Sequence, residues 1–166
     1  NYGDQYLKLP EPHILDSVAV VPGIYGQKMS KSYGNTIGIF DEGKELKKKV
    51  MSIKTDSTPL DEPKDPESCN VFALIKLFAN EEKQKEIAEK YRAGGYGYGH
   101  AKNELFDMIE EQFAEARERR KKLAQDVDTV RDILKEGGKK ARERAEEVMK
   151  PVRKATGLFK TYDFTT

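Results

Sequence analysis

The sequence has 166 residues, of which 37% are hydrophobic, so it can bury a modest core in one domain or two small ones. Its 30 Lys and Arg residues nearly balance its 29 Asp and Glu residues, which excludes a global electrostatic attraction to nucleic acid or membranes. The single cysteine, Cys69, excludes an internal disulfide and any multi-cysteine metal site, and we expect a cytoplasmic protein with no membrane contact, since no apolar run is long enough to span a bilayer.

The first part of the chain contains strand signals and one helix signal. Residues 18–21 read VAVV, a β-branched run that ends at Pro22 and predicts a buried strand. Residues 38–40 are a candidate for a second, short extended segment. Asp41 is a candidate N-cap for a helix with apolar positions Leu46, Val50 and Ile53. The three prolines within residues 57–66 predict a loop.

The rest of the chain has only helix signals, and five helices are predicted there. Asp65, Asn80 and Asp128 are candidate N-caps of three of them. A long helix should follow the glycine-rich turn at residues 94–99, and a short helix should stop at the two glycines 137 and 138. The last helix should be kinked at Pro151. The pattern therefore predicts a mainly α protein: a strand-and-loop remnant followed by a helical bundle.

The turn GGYGYGH at residues 94–100 approaches a phosphate-binding loop pattern. His100 stands where such a loop needs a lysine, and no strand precedes the turn. We therefore interpret it as a connection between helices, in which glycine supplies positive φ angles. His13 is distant in sequence, so no catalytic triad or metal site is predicted around either histidine.

Two clusters of basic residues lie in the helical part, at 117–122 and 139–154. The second cluster contains seven basic residues and only three glutamates, so its charge departs from the near-neutral balance of the whole chain. A solvated helix face and a nucleic-acid phosphate contact both remain open. The candidate nucleic-acid-binding residues are Arg117, Arg120, Lys139, Arg142 and Arg144.

The most specific motif is KMSKS at residues 28–32, which is followed closely by Gly34 and Asn35. A given string of this kind is expected by chance in on the order of one chain in ten thousand of this length. Two lysines on a glycine-flanked loop can approach a polyphosphate as point charges, while serine hydroxyls and backbone N–H groups donate hydrogen bonds. The alternative is a solvated loop without function.

This motif and its surroundings resemble the C-terminal half of bacterial tryptophanyl-tRNA synthetases, which are class I aminoacyl-tRNA synthetases. KMSKS is the signature loop of that class. The segments that carry the family resemblance are SYGNTI after the loop, TDS at 55–57, GYGYGHAK at 95–102 and LKEGGKKARERAEEVMKPVRKATGL at 134–158, together with NYG at 1–3 and LPEP at 9–12. The resemblance extends along essentially the whole chain.

The resemblance implies two domains: residues 1–64 as the last part of a Rossmann-like catalytic domain, and residues 65–166 as a helical anticodon-binding domain. It implies that Lys28 and Lys31 are catalytic and contact the phosphates of ATP, with Lys31 stabilising the pyrophosphate charge. Met29, Ser30 and Ser32 would position the loop, and Ala19 and Val20 would pass beside the adenine. The implied partners are tRNA(Trp), tryptophan and ATP with Mg²⁺, and the implied full-length enzyme is a homodimer.

The chain also departs from the family pattern. It has no HIGH-type histidine motif and no pocket for the indole ring, so these parts are expected upstream, and the chain alone is expected to be inactive. Three alternatives stay open: a fragment of the related tyrosyl-tRNA synthetase, a non-catalytic helical nucleic-acid-binding module, and a structural bundle in which the loop is accidental.

Overall fold

The computed structural model describes residues 7–15 and 18–158 of the chain. Five α-helices follow one another: α1 (Gly43–Met51), α2 (Asn70–Ile75), α3 (Glu81–Ala93), α4 (Tyr98–Gln125) and α5 (Val127–Thr156), preceded by a 3₁₀ helix at Lys31–Tyr33. Within the described residues no β-strand forms, and an isolated antiparallel bridge joins Pro22 to Lys28. The prediction of a mainly α fold is confirmed.

The chain forms two compact units. One takes residues 14–120, and the other takes the described residues before 14 and after 120. Helix α4 continues across the division between residues 120 and 121. The predicted domain boundary near residue 64 stays a prediction.

The hydrophobic core lies in the unit of residues 14–120. Helix α4 contributes Ala101, Leu105 and Ile109, which are buried at intervals of one helical turn. The ring of Tyr91 on α3 is fully buried among Phe72, Tyr96 and Tyr98. The buried members of the core cluster are Leu46, Val50, Ile53, Cys69, Val71, Phe72, Leu74, Ile75, Ile87, Ala88, Tyr91, Ala101, Leu105 and Ile109.

The predicted buried strand at residues 18–21 is wrong. Val18 and Val20 are 48% and 60% exposed, and neither belongs to a strand. A strand needs a neighbour that pairs its N–H and C=O groups, and no described segment supplies one. The second extended segment, at 38–40, is also wrong, because these residues form a turn in which the Asp41 N–H donates to the Gly38 carbonyl oxygen, 3.0 Å away.

Two helix starts lie further along the chain than predicted. Glu42, not Asp41, is the N-cap of α1; the Asp41 carboxylate instead accepts from the N–H of Gly38 at 2.6 Å and pairs with Lys49. Helix α2 begins at Asn70, because Asp65 caps a preceding turn by accepting from the N–H of Glu67 at 3.0 Å. Asp and Ser side chains bond to nearby backbone groups in turns as readily as at helix starts.

The proline-rich loop at 57–66 and the N-cap of α3 agree with prediction. The Asn80 side chain accepts from the N–H of Lys83, and α3 ends at Gly94, whose φ is 79°. Lys64 is only 4% exposed and fixes the loop from inside, since its ammonium group donates to the carbonyl oxygens of Pro59, Leu60 and Glu62 at 2.7–3.0 Å. These three bonds satisfy all three donors of the buried cation.

The two predicted C-terminal helices form one continuous helix, so the break at Gly137 and Gly138 is wrong. Asp126, not Asp128, caps it by accepting from the N–H of Thr129 at 3.0 Å. Neither of the two glycines has a positive φ, so both follow the helical path at a cost of roughly 1 kcal/mol each relative to alanine. Pro151 also lies inside the helix.

Candidate functional site

The lysine-serine loop begins in a tight backbone turn. The N–H of Gly23 donates to the carbonyl oxygen of Gln27 at 2.7 Å, and the N–H of Met29 donates to that of Val21 at 2.8 Å. Gly26 allows the reversal because its φ is 82°, a value that favours glycine. The two chain segments on either side of the turn are therefore held antiparallel at Lys28.

The Asn35 side chain lies at the centre of the loop and is 0% exposed. Its Oδ1 accepts from the N–H of Ser30 at 2.8 Å, and its Nδ2 donates to the carbonyl oxygens of Lys28 at 3.2 Å and Gln27 at 3.4 Å. Its own carbonyl oxygen accepts from the N–H of Ile24 at 3.0 Å. One buried side chain thus satisfies backbone groups on both sides of Met29.

The second half of the motif is a single 3₁₀ turn, Lys31–Tyr33. Ser30 caps it, because its hydroxyl oxygen accepts from the N–H of Ser32 at 3.3 Å. Gly34 ends it in the left-handed region, with its N–H on the carbonyl oxygen of Lys31 at 3.2 Å. Ser30 and Ser32, both predicted to position the loop, therefore bond to each other.

Lys28 and Lys31 are both exposed, and within the described residues neither has an ion-pair partner. Two lysines of α1 differ: Lys47 bonds to Asn103, and Lys49 pairs with Asp41 and Glu45. Two unpaired ammonium groups, three residues apart on an anchored backbone, form a local positive field on a neutral chain. Such groups can neutralise the oxygens of a polyphosphate without first breaking internal salt bridges.

The remaining predicted loop residues differ in burial. Met29 is half-buried, whereas Ala19 and Val20 are exposed and, among the described residues, make no hydrogen bond to the loop. Sequence reasoning missed Asn35 as a functional residue. Its signal was present, since the motif is closed by glycine and asparagine, but the predicted roles were limited to residues 28–32 and to Ala19 and Val20.

A polar cleft of about 550 Å³ lies beside the turn that precedes the motif. Its lining includes Tyr25, Gly26, Lys54, Asp56 and Tyr98. The N–H of Lys54 donates to the Ile24 carbonyl oxygen at 2.8 Å, so the cleft and the loop share a backbone connection. Hydrogen bonds from Thr58 and from the Tyr98 hydroxyl lower the pKa of Asp56, and burial raises the pKa of Tyr98 to about 12.

The glycine-rich turn at residues 94–100 connects α3 to α4, as predicted, and Gly94 and Gly95 have positive φ angles. The N–H of His100 donates to the Gly97 carbonyl oxygen at 3.0 Å, inside the first turn of α4. The His100 ring stacks on Tyr96, with ring centroids 5.9 Å apart. The ammonium group of Lys102 donates to the carbonyl oxygen of Met51, and burial lowers the pKa of Lys102.

The five candidate nucleic-acid-binding residues have different surroundings. Arg117 is only 4% exposed; its Nε donates to the Ile39 carbonyl oxygen at 3.0 Å and its Nη1 pairs with Glu110 at 2.9 Å. Arg120 is exposed over the Phe40 ring. In the other unit, Lys139, Arg142 and Arg144 are exposed on α5, and Arg144 pairs with Glu147. Of the five side chains, Arg117 alone is buried, and the other four are exposed. The nucleic-acid-binding role of all five stays a prediction.

No group of three His, Cys, Asp or Glu side chains in the described part of the chain is arranged to hold a metal ion. Among residues 7–15 and 18–158, no helix is long and apolar enough to cross a membrane.

The KMSKS turn with its two exposed lysines is the arrangement expected from the resemblance to class I aminoacyl-tRNA synthetases. The profile of the family described as "tRNA synthetases class I (W and Y)" matches residues 1–114. The chain belongs to this family.

The relatives identify the tryptophan branch, so the resemblance found in the sequence is confirmed. The chain is 54% identical to the tryptophan–tRNA ligase of Fusobacterium nucleatum over 95% of its own length and 48% of that enzyme. It is 48% identical to the tryptophan–tRNA ligase of Rhodopirellula baltica, with 95% of this chain and 49% of that enzyme covered. The chain thus spans about half the length of these curated relatives.

A solved structure supports the same assignment. The crystal structure of the tryptophanyl-tRNA synthetase of Campylobacter jejuni, complexed with ADP and tryptophane, matches with a TM-score of 0.79 and 47% identity. The match covers 90% of this chain and 47% of that one.

Proposed function

We propose that this chain supplies the ATP-phosphate-binding loop and the helical tRNA-binding part of a tryptophan–tRNA ligase. The observation that carries the proposal is the pair of exposed lysines, Lys28 and Lys31, which have no ion-pair partner among the described residues and lie on a backbone fixed by Asn35. The family match and the tryptophan–tRNA ligase relatives support it.

The proposed reaction has two steps. The carboxylate of tryptophan attacks the α-phosphorus of ATP, which forms tryptophanyl-adenylate and releases pyrophosphate. The tryptophanyl group then passes to the terminal ribose of tRNA(Trp). Lys28 and Lys31 act in the first step as fixed positive charges, because negative charge develops on the leaving pyrophosphate.

The two lysines differ in the hydrogen bonds that hold their backbone. Asn35 holds the carbonyl group of Lys28, whereas Lys31 lies in a 3₁₀ turn held by local hydrogen bonds alone. We therefore assign Lys31 to the pyrophosphate and Lys28 to more static phosphate contact. Met29, Ser30 and Ser32 support the two lysines, and Ala19 and Val20 stay proposed as neighbours of the adenine.

Mg²⁺ is proposed only as a companion of ATP. The described residues include no set of carboxylates that could hold the ion directly, so phosphate oxygens would be its ligands. No step is assigned to it. We further propose a cytoplasmic enzyme that forms a homodimer when complete, and tRNA contact through Arg117, Arg120, Lys139, Arg142 and Arg144.

The experiment uses a full-length protein. Here this term means the present chain joined to the part of a relative that it does not cover, for instance that of the Fusobacterium nucleatum enzyme. Tryptophan-dependent exchange of pyrophosphate into ATP is measured, followed by transfer of tryptophan to tRNA(Trp) and to tRNA(Tyr), because the amino-acid pocket is expected in the donated part and this chain supplies the phosphate loop and the tRNA-binding part. Exchange with transfer to tRNA(Trp) supports the proposal, transfer to tRNA(Tyr) instead indicates the other branch of the family, and no exchange contradicts it.

The chain alone serves as the matched control. We expect it to form no adenylate and to bind ATP more weakly than about ten micromolar, because a phosphate loop needs an opposing surface to orient its substrate. Calorimetry with ATP and Mg²⁺ measures this affinity. Tighter binding would show that the two lysines suffice without the rest of the nucleotide site.

A further inference from the structure

Asn35 makes a set of contacts that no other polar side chain near the motif makes. Its amide meets three backbone groups of the loop, with the N–H of Ser30 on Oδ1 and the carbonyl oxygens of Gln27 and Lys28 on Nδ2. The partners fix the orientation of the amide, since a donor faces its oxygen and two acceptors face its nitrogen. An amide matches this set, because it offers one oxygen acceptor and two N–H donors at the same time.

The surrounding chain is built to receive this side chain. A Cβ atom added at Gly23 would lie 2.4 Å from Nδ2 of Asn35, closer than real Cβ contacts occur. Gly23 therefore leaves the space that the amide fills, while the backbone of Asn35 bonds to Ile24. The close approach needs glycine at one position and asparagine at the other.

The contacts of Asn35 divide the motif into two parts. Residues 27–30 are joined to a buried side chain, whereas Lys31, Ser32 and Tyr33 are held by bonds within their own turn and are exposed. The carbonyl carbon of Lys28 is bonded directly to its Cα, which carries the side chain. Asn35 thereby fixes the starting point of one of the two lysine side chains.

We propose that Asn35 is a positioning residue for adenylate formation: it holds the peptide groups on both sides of Met29 so that the Lys28 ammonium group meets the phosphates of ATP. This inference rests on the proposed function. Asn35 contacts no substrate itself and acts through Lys28. Its removal should leave the lysine present but misplaced, and misplacement by about 1 Å can cost about a hundredfold in rate.

The first test is independent of catalysis and uses the chain alone. Amide hydrogen exchange is measured by NMR in the wild type, Asn35→Ala and, as a control with a weakened core outside the loop, Ile87→Val. We expect Asn35→Ala to accelerate exchange of the Ser30 amide by about tenfold or more relative to amides of α4, because this N–H loses its acceptor. Ile87→Val should affect core amides and leave the relative rate of Ser30 unchanged.

The second test is a double-mutant cycle in the full-length protein. Single-turnover adenylate formation is measured for the wild type, Asn35→Ala, Lys28→Ala and the double variant, at temperatures where circular dichroism shows all four to be folded. We expect Asn35→Ala to slow the step by about ten- to a hundredfold. In the Lys28→Ala background the same change should cost less than about threefold, since its effect passes through the missing lysine.

A third variant separates the two halves of the amide. Asn35→Asp keeps the acceptor for Ser30 but, when ionised, replaces the donor with a charge that faces two carbonyl oxygens. We expect it to be as slow as Asn35→Ala at neutral pH and to recover relative to the wild type as the pH falls, because a protonated carboxyl can donate to Lys28. A purely structural loss would show no such recovery.

Faster Ser30 exchange combined with a coupled cycle supports the inference. An unchanged Ser30 rate, or rate losses for Asn35 and Lys28 that simply multiply, would overturn it. A wild-type full-length protein that forms no adenylate would overturn the proposed function, and the Ser30 exchange rate would still decide whether Asn35 anchors the loop.

Discussion

The guanidinium group of Arg117 donates through Nε to the carbonyl oxygen of Ile39, 3.0 Å away, and so joins α4 to the segment that follows the KMSKS loop. The same group pairs with Glu110, whose other carboxylate oxygen accepts from the N–H of Gly43 at 3.0 Å, at the start of α1. One arginine thus connects two helices and a turn.

We expect Arg117→Met to lower the free energy of unfolding by about 1–3 kcal/mol, because it leaves the Ile39 carbonyl and Glu110 without their charged donor. Arg120→Met is the matched control: it removes an exposed contact with the Phe40 ring and should cost less than about 1 kcal/mol. Urea unfolding of the chain measures both. Equal losses of unfolding free energy for the two variants would mean that the buried contacts of Arg117 stabilise the fold no more than the exposed contact of Arg120.

Glycines in α5 and in the loop should respond oppositely to alanine. A Cβ at Gly138 or at Gly34 meets nothing within 4 Å, but Gly34 has a φ of 62° and Gly138 is helical. We expect Gly138→Ala to stabilise by about 0.5–1 kcal/mol and Gly34→Ala to destabilise by about 1–2 kcal/mol. Thermal unfolding followed by circular dichroism tests this. A destabilising Gly138→Ala would contradict a continuous, open helix at this position.

Asp56 should make stability depend on pH in the acid range. Hydrogen bonds from Thr58 and Tyr98 lower its pKa in the folded chain below the value of about 3.9 expected when unfolded. The stabilisation is therefore complete above about pH 4 and is lost as the pH falls through the folded pKa. Because the carboxylate is exposed, we expect Asp56→Asn to cost at most about 1 kcal/mol at neutral pH.

The measurement for Asp56 is the melting temperature of the wild type and Asp56→Asn from pH 7 to pH 2.5. Their difference should shrink below about pH 4. Tyr98→Phe, which removes one of the donors and keeps Thr58, should retain part of the pH dependence. A difference that stays constant down to pH 2.5 would show that the carboxylate charge is not involved.

The basic residues of α5 should govern tRNA binding through phosphate contacts. If they do, affinity for tRNA falls steeply as the salt concentration rises. In the double variant Arg142→Glu and Arg144→Glu, the slope of log affinity against log salt concentration should then be smaller by about one per arginine, for all tRNAs alike. Arg131→Glu on the same helix, outside the candidate set, is the control. Binding by the chain is measured across a salt series with tRNA(Trp) and an anticodon-swapped copy. Identical slopes for all variants would mean that α5 is a solvated face.

Helices with a clear cap and an apolar face could be predicted from the sequence. Asn80 and Gly94 bound α3 as expected, and the buried positions of α4 follow its periodicity. The strand at 18–21 failed because a β-branched run indicates only a tendency, while a strand exists only with a partner. The predicted helix break at Gly137 was wrong because the loss of helix propensity at a glycine is small enough for a helix of 30 residues to continue through it.

The sequence predicted the charged groups of the candidate site, but it did not predict the buried side chains that hold the backbone around them. The lysines are recognisable because KMSKS is rare and specific. Burial of Asn35 and of Arg117 depends on contacts with Gly23 and Ile39, the second of which lies 78 positions from its partner in the chain. Such long-range contacts leave no local pattern, which is why Arg117 was grouped with the exposed arginines.

The most direct test of the account is single-turnover formation of tryptophanyl-adenylate by the full-length protein and its Lys31→Ala variant. Lys31 is exposed and has no ion-pair partner in the described chain, so the variant should fold as stably as the wild type. We expect adenylate formation to slow by roughly ten- to a thousandfold, the loss expected for one fixed charge opposite the leaving pyrophosphate, with a smaller loss for Lys28→Ala. An unchanged rate in a folded Lys31→Ala protein would contradict the account, since the loop would then take no part in the reaction.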